Sequence, residues 1–100
     1  MTKLISFGRS DLPEKKYKVV IERDGRQKTI HFGASGFKDY TSFSRLEREA
    51  RKKAYLGRHR SREDWTATGI DTPGFWARHI LWNLPTVSAS LAKTKRTFNL

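Results

Sequence analysis

Acid–base or metal chemistry in this chain would fall to His31, His59 and His79, with Asp39, Glu63, Asp64 and Asp71 as the accompanying carboxylates. A hydrolytic site needs such groups to converge, with a base in hydrogen-bond reach of the proton it takes. Their spacing argues against it. No HxxxH, HExxH or DxDxDG pattern occurs, and there is no GxSxG elbow. His59 stands among arginines, whose charge opposes a metal cation. His31 falls on the polar face of a predicted strand. His79 falls in an apolar stretch, where a satisfied, partly buried imidazole is the usual outcome. Glu63 and Asp64 are adjacent, and such a pair on a loop more often neutralises nearby arginines than transfers protons. The absence of Cys removes disulfides, thiolate zinc sites and cysteine nucleophiles together. The expectation is a non-enzymatic protein with no cofactor, no metal and no small-molecule substrate. A small nuclease built on His59 and the nearby acids is the weaker alternative.

Phosphate chemistry is better represented. Lys and Arg number 21 against 10 acids, a formal charge of +11, which attracts polyanions such as nucleic acid, an anionic membrane surface or an acidic protein face. The densest run extends from Arg45 to Arg62, with eight basic residues against two Glu. Arg45, Arg48, Arg51, Lys52, Arg58, Arg60 and Arg62 could form a ridge on a helix and the loop after it. Lys93, Lys95 and Arg96 add a basic end. Arginine suits phosphate because its planar fork donates two hydrogen bonds at once. The bland alternative is a solvated helix face laced by the i,i+4 pairs Glu47–Arg51 and Glu49–Lys53. Gly33-Ala-Ser-Gly36 resembles a phosphate loop only superficially: it lacks the Lys-Ser/Thr ending of a P-loop and the third glycine of a dinucleotide loop. A bend needing positive φ at both glycines explains it more simply.

Aromatic residues divide between core and contact. Phe75, Trp76 and Trp82 lie in GFWARHILWNL, which is apolar around most of a helix and so must be buried in the protein or against a partner. Trp65 sits in a charged loop, placed to stack on a base or plug a neighbour. Interfaces favour Trp and Arg, which makes Trp65, Phe75, Trp76 and Trp82 the candidate protein-interface set.

These side chains need elements to hold them. YKVVIERDGRQKTIHF predicts a β-hairpin, because Asp24-Gly25 suits a type I′ turn and puts Val19 opposite Ile30 and Tyr17 opposite Phe32. A helix follows, started by Asp39, Thr41 or a Ser44/Glu47 capping box, carrying the stripe Phe43, Leu46, Ala50, Ala54, and ending at Gly57. Thr72-Pro73 starts a second helix, and Pro85-Thr86 breaks it. VSASLAKTKRTF predicts a third, anchored by Val87, Leu91 and Phe98. Residues 1–16 read as an extended N-terminal arm before a single α+β domain over 17–100. That opening stretch has no apolar run of signal-peptide length, and no run approaches a membrane span of about 18 residues.

KTIHFGASGFKDYT, RKKAYLGRH, a Trp, TPGFWARHILWN with a Pro beyond, and a basic end closed by Phe98 follow one another in that order. The series resembles a family of short basic proteins encoded by large DNA viruses of eukaryotes, relatives of the chlorella viruses and mimiviruses, over about residues 15 to 98. The resemblance brings no catalytic residues. It implies a viral origin and a place in the particle: a minor capsid or internal virion protein, in the virion and in the host cytoplasm during assembly, contacting other virion proteins. A nucleic-acid-binding protein making sequence-independent phosphate contacts is the alternative.

Overall fold

In the computed structural model, which describes residues 1–100, Asp24 and Gly25 have φ of 54° and 78° and turn the chain between two strands. Strand β2 (Lys15–Arg23) pairs with β3 (Arg26–Ala34) in the expected antiparallel register, Val19 opposite Ile30 and Tyr17 opposite Phe32. Val19, Ile21, Ile30 and Phe32 are buried together on one face. His31 lies on the other, with its Nδ1 2.8 Å from Ser10 Oγ.

The stretch expected as an arm is a strand. β1 (Thr2–Arg9) pairs with β2, completing a three-stranded sheet in the order β1-β2-β3. Leu4, Ile5 and Phe7 do not alternate, so no strand pattern is visible in the sequence. The register shifts between Leu4 and Ser6, and Ile5 is the extra residue of a bulge. A bulge moves one residue out of phase, so Leu4 and Phe7 can both reach the apolar face, opposite Ile21 and Val19. Phe7, Tyr17, Phe32 and Trp76 then form a chain of rings with centroids 5.5 to 6.4 Å apart.

The helices cover this face. Thr72 Oγ1 accepts from the Phe75 N–H and Pro73 occupies the first turn of α2 (Pro73–Trp76), as its sequence predicts. The helix runs on as a π turn over Ala77–Leu81. Residues five apart fall into line in such a turn, so Phe75 and Trp76 share a face with Ile80 and Leu81, and all four are buried. Thr86 caps α3 (Val87–Thr97), accepting from the Ala89 N–H, and α3 seats its buried Ser90 and Thr94 toward the π turn and the Leu84 backbone just after it. Thr94 Oγ1 donates to the Ser90 carbonyl, 2.8 Å away. His79 clusters with the rings of Phe75 and Phe98, which also touch each other, and its Nε2–H donates to the Trp65 carbonyl at 2.9 Å. Burial pulls its pKa down, so the imidazole stays neutral as packing material.

Helix α1 (Arg48–His59) departs from expectation in three ways. It starts after Glu47, with no side-chain cap. It continues past Gly57. Its inward residues are not the predicted stripe: Leu46 is 96% exposed, Ala50 and Ala54 are exposed, and Tyr55 is the one buried residue. So polar a helix has little surface to bury, and it stands off the sheet. No helix is long and apolar enough to cross a membrane.

Candidate nucleic-acid interface

The gap between α1 and the sheet is a cleft of about 580 Å³. Its position follows from the bend that ends β3. Gly33 (φ 81°) and Gly36 (φ 86°) hold left-handed backbone, and a Cβ on Gly33 would meet Leu81 Cδ1 at 2.7 Å. Only glycine lets the chain pass so close to the π turn. The next residues then form the outer lip of the cleft.

That lip is fixed by Asp39. Its buried carboxylate accepts from Lys16 Nζ at 2.7 Å and from the Thr41 N–H at 2.8 Å, while its own N–H donates to Ser42 Oγ. Lys16 Nζ also donates to the Phe37 carbonyl. Asp39 therefore caps a turn over 39–43 instead of α1. Tyr40 packs toward α1: its hydroxyl donates to Glu49, which pushes its pKa up, and Arg48 and Lys52 lie over its ring. Asp39→Ala would leave the Lys16 ammonium unmatched and the Thr41 N–H without a partner. Lys16 stays 21% exposed, so the cost is below that of a fully buried pair, about 2 kcal/mol. Thermal denaturation tests this: an unchanged Tm would mean that the pair does not hold the lip.

Aromatic side chains make the inner wall. Tyr55 stacks on Trp82 at 4.4 Å and 7°, and on His59 at 4.2 Å, while Phe43 meets Trp82 at 6.2 Å. Arg78 anchors the Trp82 carbonyl at 2.7 Å. Burial pushes the Tyr55 phenol well above its ordinary value, so it carries no charge.

Cations ring the opening. Lys15 and Lys16 come from β2, Lys38 from the lip, and Arg51 and Arg58 from α1. Arg51 lies over the Phe43 ring at 5.1 Å, and Lys38 Nζ is 6.0 Å from the same centroid. The two carboxylates present are already engaged. Asp39 has Lys16, and Glu63 takes His59 Nδ1 at 3.3 Å and the Trp65 indole N–H at 3.0 Å. Glu63 and Asp64 do not neutralise arginines as expected, for Asp64 instead accepts from Thr66. No group of three or more His, Asp or Glu side chains could hold a metal ion.

The expected ridge is therefore split. Arg51 and Arg58 face the cleft. Arg45, Arg60 and Arg62 are exposed outside it, as are Lys93, Lys95 and Arg96 on α3. Arg48 is half-buried over Tyr40. Lys52 is a strut: its ammonium donates to the Asn83 carbonyl at 2.9 Å, and burial together with the charge of Arg78 pulls its pKa down. The intrahelical pairs do not form, since Glu49 binds Tyr40 and Glu47 accepts from Ser44. Of the 21 Lys and Arg, two are in ion pairs, Lys16 with Asp39 and Lys18 with Asp11. The interface set also needs correction. Phe75 and Trp76 are completely buried, so no partner can reach them. Trp82 lines the cleft, and Trp65 is half-buried beneath Arg78, 5.7 Å from its ring. Lys15, Lys16 and Lys38 were missed because pairing with α1 across the cleft leaves no spacing in the sequence.

A family model described as a family of unknown function (DUF5754) matches residues 5–59, just over half of the chain. Its span runs from β1 through α1 and so includes the lip and all five cations of the rim. No curated protein and no solved structure matches the chain.

Proposed function

The chain belongs to this family of unknown function (DUF5754), and from its own surface we propose that it is a non-enzymatic protein that grips nucleic acid through sequence-independent contacts to phosphate. One observation carries the reading: the basic side chains are almost all without acidic partners, and four of them converge on one cleft. A solvated, self-neutralised helix face would have its glutamates on its arginines. Here they are occupied elsewhere, which leaves Lys15, Lys38, Arg51 and Arg58 available to an anion. The histidines support binding over turnover, since each is tied to a structural neighbour: His31 to Ser10, His59 to Glu63 and Tyr55, His79 to Trp65.

Fluorescence anisotropy of labelled strands across a salt series tests the proposal. Each phosphate contact releases counterions, so log affinity should fall steeply and linearly with log salt. Affinity indifferent to salt would sink the reading, and cleavage of the probe during incubation would replace it with the nuclease.

The second reading, a minor capsid or internal component of a large DNA virus particle, draws on the viral resemblance and on one surface feature. Leu46 is 96% exposed, Ile5 and Leu12 are also exposed, and β1 and β3 are both edge strands. Open edges and bare apolar side chains are what neighbouring proteins cover. The two readings are compatible if the protein meets genome inside the particle. A virion component should appear in purified particles at a fixed ratio to the other proteins, measured by quantitative mass spectrometry; its absence there removes that setting.

A further inference from the structure

We propose that the cleft receives one unpaired nucleotide of a single strand, its base against the Phe37 ring and its own and its neighbours' phosphates among Lys38, Arg51 and Arg58. The inference deepens the nucleic-acid reading and rests on it.

Phe37 is the observation that a phosphate-only surface does not explain. Its ring is 73% exposed, although it belongs to a lip whose backbone is firmly held. The bend through Gly36 sets its direction, Lys16 holds its carbonyl, and Asp39 caps the turn that follows. A rigid mount for an unpacked aromatic ring is what a stacking platform requires, because the ring loses little freedom when a flat partner arrives.

Charge selects the partner. An apolar peptide side chain could also cover Phe37, but it would leave four cations at the same opening unmatched. Arg51 and Lys38 both approach the ring of Phe43, at the end of the same turn, so anionic and aromatic recognition sit side by side. A nucleotide carries a flat face and a negative charge within one unit, and a strand of them supplies several charges to the four cations. It must be unpaired, since a base inside a duplex has both faces covered by its neighbours. The volume of about 580 Å³ falls in the range of roughly 300 to 1,000 Å³ usual for sites that enclose a small ligand, and suits one nucleotide better than a helix.

The test uses three labelled probes of equal phosphate count: a single strand of about 15 nucleotides, the same strand with every base removed, and a duplex. The intact strand should bind about tenfold tighter than the abasic one, the usual worth of one base on one aromatic ring. Phe37→Ala should erase that difference and leave the duplex unaffected, and Phe37→Trp should restore it. Because Phe37 is exposed, its loss should not alter the thermal melt. Equal, salt-dependent binding of intact and abasic strands, unchanged in Phe37→Ala, would overturn the stacking site while the phosphate reading stands. Salt-independent binding of all three probes would remove both. Displacement of the intact strand by a free mononucleotide at comparable concentration would also overturn the proposal, by making the cleft a site for a free nucleotide.

Discussion

Alanine at Lys15, Lys38, Arg51 and Arg58 together should lower affinity for single-stranded nucleic acid by about two orders of magnitude at physiological salt. A single strand releases about 0.7 counterion per phosphate contact, so losing four contacts should reduce the slope of log affinity against log salt by about 3. The same arithmetic sets the loss in affinity, which grows as salt is lowered. Lys16 and Lys52 are excluded on purpose. Lys16 secures Asp39 and Lys52 secures Asn83, so their removal would confuse binding with folding. The four chosen side chains have no ion-pair partner, and Arg51 and Arg58 are exposed, which makes an unchanged melting curve part of the expected result. A variant with the wild-type slope would place the phosphate contacts elsewhere, with the exposed Arg60, Arg62, Lys93, Lys95 and Arg96 as the next group to remove.

Trp76→Ala should be the most damaging single change to the fold. Trp76 is wholly buried and meets Phe32 of the sheet at 6.4 Å and Phe75 at 5.2 Å, so it joins the two layers. Its indole N–H donates to the Ile70 carbonyl at 2.7 Å, and Ile70 is buried too. Removing a core Trp side chain costs about 3–5 kcal/mol, and the orphaned carbonyl adds about 1 kcal/mol. A domain of this size has about 5–15 kcal/mol in total, so the Tm should fall by roughly 20 °C or the protein should fail to fold. Circular dichroism melts would decide it. A Tm within about 5 °C of wild type would mean that the junction of α2 and the sheet does not carry the core. Trp82→Ala should be milder in stability, because Trp82 is half-buried, and should act on the cleft wall it builds with Tyr55 and Phe43.

Local features of this protein can be read where the cause lies in neighbouring residues. Asp24-Gly25 dictates a type I′ turn, the turn dictates the register, and the register puts Val19, Ile21, Ile30 and Phe32 on one face. The Thr72 cap is equally local, as is the need for positive φ at Gly33 and Gly36; Thr86, read only as part of a break, caps α3 as well. The α+β class follows from these alone. β1 escaped because a bulge at Ile5 disrupts the alternation by which a strand is recognised. The inward face of α1 escaped because its contacts are polar or aromatic at scattered positions: Glu49 to Tyr40, Lys52 to Asn83, Tyr55 to Trp82.

The amino-acid sequence by itself determined the sheet's central hairpin, the starts of α2 and α3 and a large excess of positive charge, all of which depend on residue type and short-range geometry. Tertiary structure alone decided which of those charges lie together. Lys15 and Lys38 lie far along the chain from Arg51 and Arg58, and the aromatic wall comes from three separate segments. A helix too charged to bury against the sheet is held off it by a few specific contacts, and the space left between them is the cleft.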